Sequence, residues 1–239
     1  MIRAIQGLRA IAIMQVLLFH LSVPGFSNGY LGVDLFFSIS GFVITYAWWT
    51  RINNTTNLRK FYVHRFWRLF PSACVVVVLT TSTAAIVLLP TDARVTFTDA
   101  TYAIGQIVNL YYLLTTNYFS ADTDYRLLTH YWSLAVEEQF YLGFGLIALF
   151  VGTKLSHRAL MIFLGSAFVI SIGFSQWSQG FHAPLNFFSP VSRIWQFLFG
   201  VIAAKLVTIH SQDSIPVKNN LVYFMNFKDK EKMDSILCK

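Results

Sequence analysis

Six stretches of this chain, at about residues 5–23, 30–50, 69–89, 131–153, 159–175 and 190–207, stay apolar for long enough to cross a lipid bilayer as helices. A chain of 239 residues has too little other material to hide that many apolar helices from water. Composition agrees: 55% of residues are apolar and only 12% are charged, with a mean hydropathy of +0.54, where a soluble domain is about a quarter charged. The runs specify an all-α fold, a polytopic transmembrane helix bundle. Residues 100–118 form a weaker seventh candidate, which gives six to seven membrane segments in all.

The loops set the orientation. No acid occurs between Asp34 and Asp92, whereas Arg51, Arg59, Lys60, Arg65 and Arg68 crowd the 51–68 connection. Basic connections belong in the cytoplasm, which places the N-terminus there too. Lys154 and Arg158 mark the next inner loop, and Asp92, Asp99, Asp122 and Asp124 fall in an outer region. Residues 90 and 131 then lie on the same side, so 100–118 is expected as a re-entrant or interfacial element. The segment 24–29, PGFSNG, is a tight outer turn. The N-terminal run lacks a small-x-small cleavage site and is expected to be a retained span. Residues 1–210 form one membrane-integral domain, and the charged, patternless 211–239 a cytoplasmic tail. The sequence pI near 9.5 does not indicate nucleic acid, because the basic residues sit in short loops between apolar runs. Cys74 and Cys238 suggest no disulfide framework, and no metal-ligand spacing appears.

Ionisable groups inside spans are costly and mark function by default. Arg9 and His20 bracket an almost wholly apolar stretch of the first span. Eleven residues at about 100° each return both to one helix face, roughly 16 Å apart along the axis. Asp34 enters the second span, and Glu137 and Glu138 the fourth, at similar depth to His20. All four are expected in one layer about 5–10 Å beneath the outer interface. An imidazole beside a carboxylate suits abstraction of a hydroxyl proton. A His20–Asp34 hydrogen bond that merely fixes packing is an equal alternative. Adjacent glutamates point about 100° apart, so only one of Glu137 and Glu138 is expected to face the site, the other pairing with Arg193 or an outer polar group. Arg9 alone would be a snorkelling anchor. Arg65 and Arg68, three residues apart, share a face at the inner mouth of the third span. They suit phosphate capture, although basic residues ahead of a span are also routine topology signals.

The first span with Arg9 and His20, the block GYLGVDLFFSISGFVIT at 29–45, FYVHRFWRLFP at 61–71, HYWSLAVEEQFYL at 130–142 and SRIWQFLFG at 192–200 resemble, in this order, the acyltransferase family 3 membrane proteins. The resemblance implies an integral-membrane O-acyltransferase of the cell membrane. Such an enzyme moves an acyl group, most often acetyl, from cytoplasmic acyl-CoA to a hydroxyl of an extracytoplasmic glycan or similar acceptor. Acetyl-CoA is then a donor substrate, and no permanently bound cofactor is expected. The family's essential arginine and histidine fall on Arg9 and His20, its R-x-x-R element on Arg65 and Arg68, and its paired glutamates on Glu137 and Glu138. At the R-x-x-E block only Arg193 carries over, because Gln196 stands where the family usually has Glu. Family members generally have about ten spans, so the resemblance also implies a shortened version. Its missing helices would be absent or supplied by another polypeptide. The alternative is a non-catalytic homologue acting as a membrane partner or scaffold.

Overall fold

The computed structural model describes residues 3–115, 126–152 and 154–213, and among these it has nine helices and no strand. They are α1 (Arg3–His20), α2 (Leu31–Trp48), α3 (Thr55–Val87), α4 (Pro90–Ile104), α5 (Val108–Thr115), α6 (Tyr131–Phe150), α7 (His157–Phe181), α8 (Ala183–Phe188) and α9 (Pro190–Asp213). Five are long and apolar enough to cross a membrane: α2, α3, α6, α7 and the run Ala183–Thr208 that joins α8 to α9; α1 is a shorter apolar helix. The chain is a multi-span membrane protein.

Helix α3 departs from expectation. The basic stretch 51–68 is not a loop but helical from Thr55 onward, continuous with the expected third span. The Asn54 side chain accepts the Asn57 N–H at 2.8 Å and starts the helix ahead of the basic residues. One face of that amphipathic start is apolar, and Phe61 is fully buried against Trp48 and Phe144. Arg59, Lys60 and Arg68 are exposed on the remaining faces.

The weak segment is helical in two pieces. Helix α4 begins at Pro90, earlier than expected, and its 15 residues cover about 22 Å, against a hydrocarbon core of about 30 Å. Gln106 then takes a left-handed φ of 55°, and α5 runs for only eight residues. Neither piece matches a crossing. Asp99, expected in an outer connection, is wholly buried in α4, where Arg126 Nη1 donates to its Oδ1 at 2.6 Å. This pair ties α4 to the turn that feeds α6. Arg126→Ala should cost about 2 kcal/mol, the range for a hydrogen bond to a charged group. Hydrogen exchange should speed up in α4 and α5 and leave α2 unchanged; equal acceleration everywhere would contradict a local tie.

Helices α2 and α9 form the centre, with α1 against α2, α7 against α9, and α6 packed on both. Phe197 of α9 stacks between Phe37 of α2 at 4.4 Å and Phe140 of α6 at 4.2 Å, locking the three together. The outer faces of α3 (Val75, Val78, Leu79, Ile86) and α7 (Ile162, Val169, Ile170) are apolar and exposed, as lipid contact requires. The expected boundary at 210/211 falls inside α9, which continues to Asp213; Asp122, Asp124, Cys238 and residues 214–239 lie outside the described residues.

Candidate active site

Where α1 ends and α2 begins, the bundle encloses a cavity of about 120 Å³ lined by His20, Asp34, His130, Trp132, Ser133 and Arg193, with Tyr30 and Phe187 among its other walls. His20 is the last residue of α1, and its ring meets that of His130 edge to face, with centroids 4.4 Å apart and planes at 69°. His130 immediately precedes α6 and is exposed at the cavity. Partial desolvation by these walls, reinforced by the nearby His20, holds the His130 imidazole below its ordinary value, so it is neutral at pH 7.

Asp34 faces the same cavity, but its carboxylate is engaged by α9. Gln196 Nε2 donates to Oδ1 at 2.9 Å and Arg193 Nη1 at 3.3 Å. Arg193 is fixed in turn: its Nε donates to the Phe187 carbonyl at 3.0 Å, and its guanidinium lies over the Phe187 and Trp132 rings. Gln196 thus serves as a donor to a carboxylate, something an ionised glutamate could not do. Arg193 pairs with Asp34 rather than with either glutamate.

The expectation of one shared layer is corrected. Ser40 donates to Glu137 Oε1 at 2.6 Å. Ser40 lies six residues beyond Asp34 on α2 and Glu137 seven beyond His130, or about 9–10 Å deeper on each helix. Glu137 therefore belongs to a second, lower layer. Arg9 Nη2 contacts Ser40 Oγ at 3.3 Å from α1, and the Tyr141 hydroxyl donates to Glu137 from one turn along α6. Arg65 of α3 stacks on the Tyr141 ring at 4.5 Å, within electrostatic reach of Glu137 and Arg9. Arg9, Ser40, Arg65, Glu137 and Tyr141 are all buried. Glu138 is half-buried, and its Oε1 has no hydrogen-bond partner. The two glutamates diverge as helix geometry requires, and Glu137 faces the bundle interior.

Arg65 and Arg68 also part company. Arg65 turns inward to the lower layer, while Arg68 stays exposed. Three residues on a helix leave about 60° between side chains, enough here to separate a buried cation from a free one. Sequence reasoning missed His130, Ser40 and Tyr141. Tyr141 was detectable in principle, four residues from Glu137 on the same helix face; Ser40 and His130 gave no signal beyond their place in the quoted motifs. Among the described residues, no three His, Cys, Asp or Glu side chains group as a metal site. The lower layer can hold an anion against Arg9, and the cavity above it can take up a proton at the histidines.

The profile of acyltransferase family 3, described as an acyltransferase domain, matches residues 2–224, and the chain belongs to that family. A Staphylococcus aureus (strain COL) protein bearing the name "Putative O-acetyltransferase" is 34% identical over 213 residues, 86% of this chain and 35% of that protein. The O-acetyltransferase OatA of Staphylococcus aureus (strain NCTC 8325 / PS 47) is 34% identical over 181 residues, 71% of this chain and 28% of that protein. The chain spans about a third of the length of the curated relatives it matches. No solved structure matches it.

Proposed function

We propose that this chain carries out, or forms the N-terminal part of an enzyme that carries out, O-acyl transfer across the cell membrane. Acetyl-CoA on the cytoplasmic side is the donor, and a hydroxyl of an extracytoplasmic glycan or similar molecule is the acceptor. The observation that carries this reading is the two-layer stack of polar groups through an otherwise apolar bundle. The upper layer is a cavity with two imidazoles, and the lower one is held by two buried arginines. The exposed basic face of α3 supports a cytoplasmic N-terminus and a cytoplasmic Arg68 end. Arg68 there meets coenzyme A phosphates, and Arg9, in the lower layer on the donor's side of the cavity, offers its guanidinium to the donor's anionic groups. His20 takes the proton of the acceptor hydroxyl in the cavity.

The test is transfer of label from acetyl-CoA to envelope glycan in membranes containing the chain. His20→Ala should lower the rate by about 100-fold or more, with chain abundance unchanged. Arg68→Ala should raise KM for acetyl-CoA several-fold and leave kcat nearly intact. Equal label from native and His20→Ala membranes would remove His20 from the chemistry. The second reading, a non-catalytic membrane partner of the same family, draws on Gln196, whose amide holds Asp34 where the resemblance expects a carboxylate. It requires a stable, inserted chain that transfers no label under conditions where a full-length relative does.

A further inference from the structure

Two imidazoles share the cavity, and the proposed reaction uses only one. The other, His130, is in ring contact with His20 and lines the same 120 Å³ space. It is carried by the turn before α6, whereas His20 is carried by α1. The remaining charged groups at the cavity are Asp34 from α2 and Arg193 from α9, and these are paired with each other at 3.3 Å. Arg193 is a permanent cation, and the Asp34 carboxylate is turned to α9, where Oδ1 accepts from Arg193 and Gln196, whereas the His130 ring is the group in direct contact with His20. The group positioned to relieve His20 of a proton is therefore the neighbouring imidazole.

We propose that His130 is the proton acceptor for His20, a relay that returns the catalytic base to its neutral form; this rests on the acyl-transfer reading above. The acceptor O–H bond breaks and its proton moves to His20, while the acceptor oxygen bonds to the acyl carbon. The C–S bond of the thioester breaks, and sulfur leaves as thiolate with the bonding pair. The proton then passes from His20 to His130 and on to water, so one thiolate and one released proton balance the step. The edge-to-face packing becomes an N–H···N contact by rotation about the ring torsions. Both rings are exposed and free to make such a motion on the ps–ns scale. His130 also lines the cavity and is exposed there, so a proton it accepts has a way out to water.

The experiment is the label-transfer assay on membranes containing the whole chain, with chain abundance measured alongside. His130→Phe keeps a ring packed against His20 but cannot carry a proton, and His130→Gln keeps polarity and approximate length. Both should lose tenfold or more in kcat with KM for acetyl-CoA unchanged. In His130→Ala, free imidazole in the buffer should restore part of the rate in a concentration-dependent way, which a packing role would not produce. Full activity in His130→Phe, or no response of His130→Ala to imidazole, overturns the relay while native activity and the His20→Ala loss leave acyl transfer standing. A native chain that is inserted and leaves no label, where a full-length relative labels the same acceptor, overturns catalysis by this chain and the relay together.

Discussion

Glu137→Ala should lower folding stability by about 3–5 kcal/mol, the cost of removing one partner from a buried charged network. Glu138→Ala, one residue away, should change it by less than about 1 kcal/mol. The asymmetry follows from what each carboxylate touches. Glu137 is 4% exposed and accepts from Ser40 and Tyr141, with Arg65 and Arg9, 4% and 8% exposed, as the nearby cations. Without it, two guanidinium groups remain in an apolar bundle with only Glu138, which is within electrostatic reach of Arg65 and has an unpartnered Oε1. Arg9 Nε and Arg65 Nε and Nη1 already have no hydrogen-bond partner. Glu138 contributes an unpartnered oxygen, whose loss costs nothing in hydrogen bonds. Glu137→Gln, which keeps an acceptor and loses the charge, should fall between the two. Thermal unfolding of the purified chain in one detergent, with the three variants side by side, checks the order. Equal midpoints for Glu137→Ala and Glu138→Ala would mean that the lower layer does not hold the bundle together.

The spans were legible because apolar length is a property of local sequence: five of the six expected runs coincide with helices long enough to cross, and the sixth with α1. What local sequence could not supply was relative height between helices. Counting from each apolar boundary put Glu137 level with Asp34. Yet α6 packs so that His130, not Glu137, meets the end of α1, and the carboxylate drops about two turns to Ser40. Side-chain depth depends on how a helix is set against its neighbours, and a boundary read from hydropathy is uncertain by as much as the error made. The 51–68 stretch failed for a related reason. Charge density says nothing of whether the backbone is helical, which here rests on the Asn54 cap and on Phe61 at the core. The separation of Glu137 from Glu138 was expected from the 100° rule, although the sequence could not say which of them faces inward. The pairing of Asp34 with Gln196 and Arg193 bridges some 160 residues, and no local pattern announces it.

That long-range pairing depends on how closely α2 and α9 approach, and two glycines set the distance. A Cβ built on Gly200 would lie 1.9 Å from the Ser38 carbonyl oxygen and 2.6 Å from the Phe42 nitrogen. One built on Gly41 would lie 2.1 Å from the Phe197 oxygen. These are backbone atoms of the facing helix, so no side chain can swing away, and the helices themselves must separate. Close contact through small residues is how helices associate where lipid removes the hydrophobic drive. Gly200→Ala should therefore move α9 away from α2 by more than an ångström. Asp34 then loses its 2.9 Å and 3.3 Å partners, and Phe197 its stacking on Phe37. Overpacking of about 1–3 kcal/mol together with a lost charge-assisted hydrogen bond of about 1.5–3 kcal/mol gives an expected loss of about 3–5 kcal/mol. Gly143→Ala is the matched control: it also lies within a helix, with nothing inside 4 Å of the added carbon, and should gain about 0.5–1 kcal/mol from the improved helix propensity. Opposite shifts of the two midpoints would establish that the α2–α9 contact, formed 160 residues apart in sequence, sets both the stability of the bundle and the shape of the cavity. If Gly200→Ala unfolds with the Gly143→Ala midpoint, α9 is free to slide on α2, and Arg193 and Gln196 do not define the wall behind Asp34.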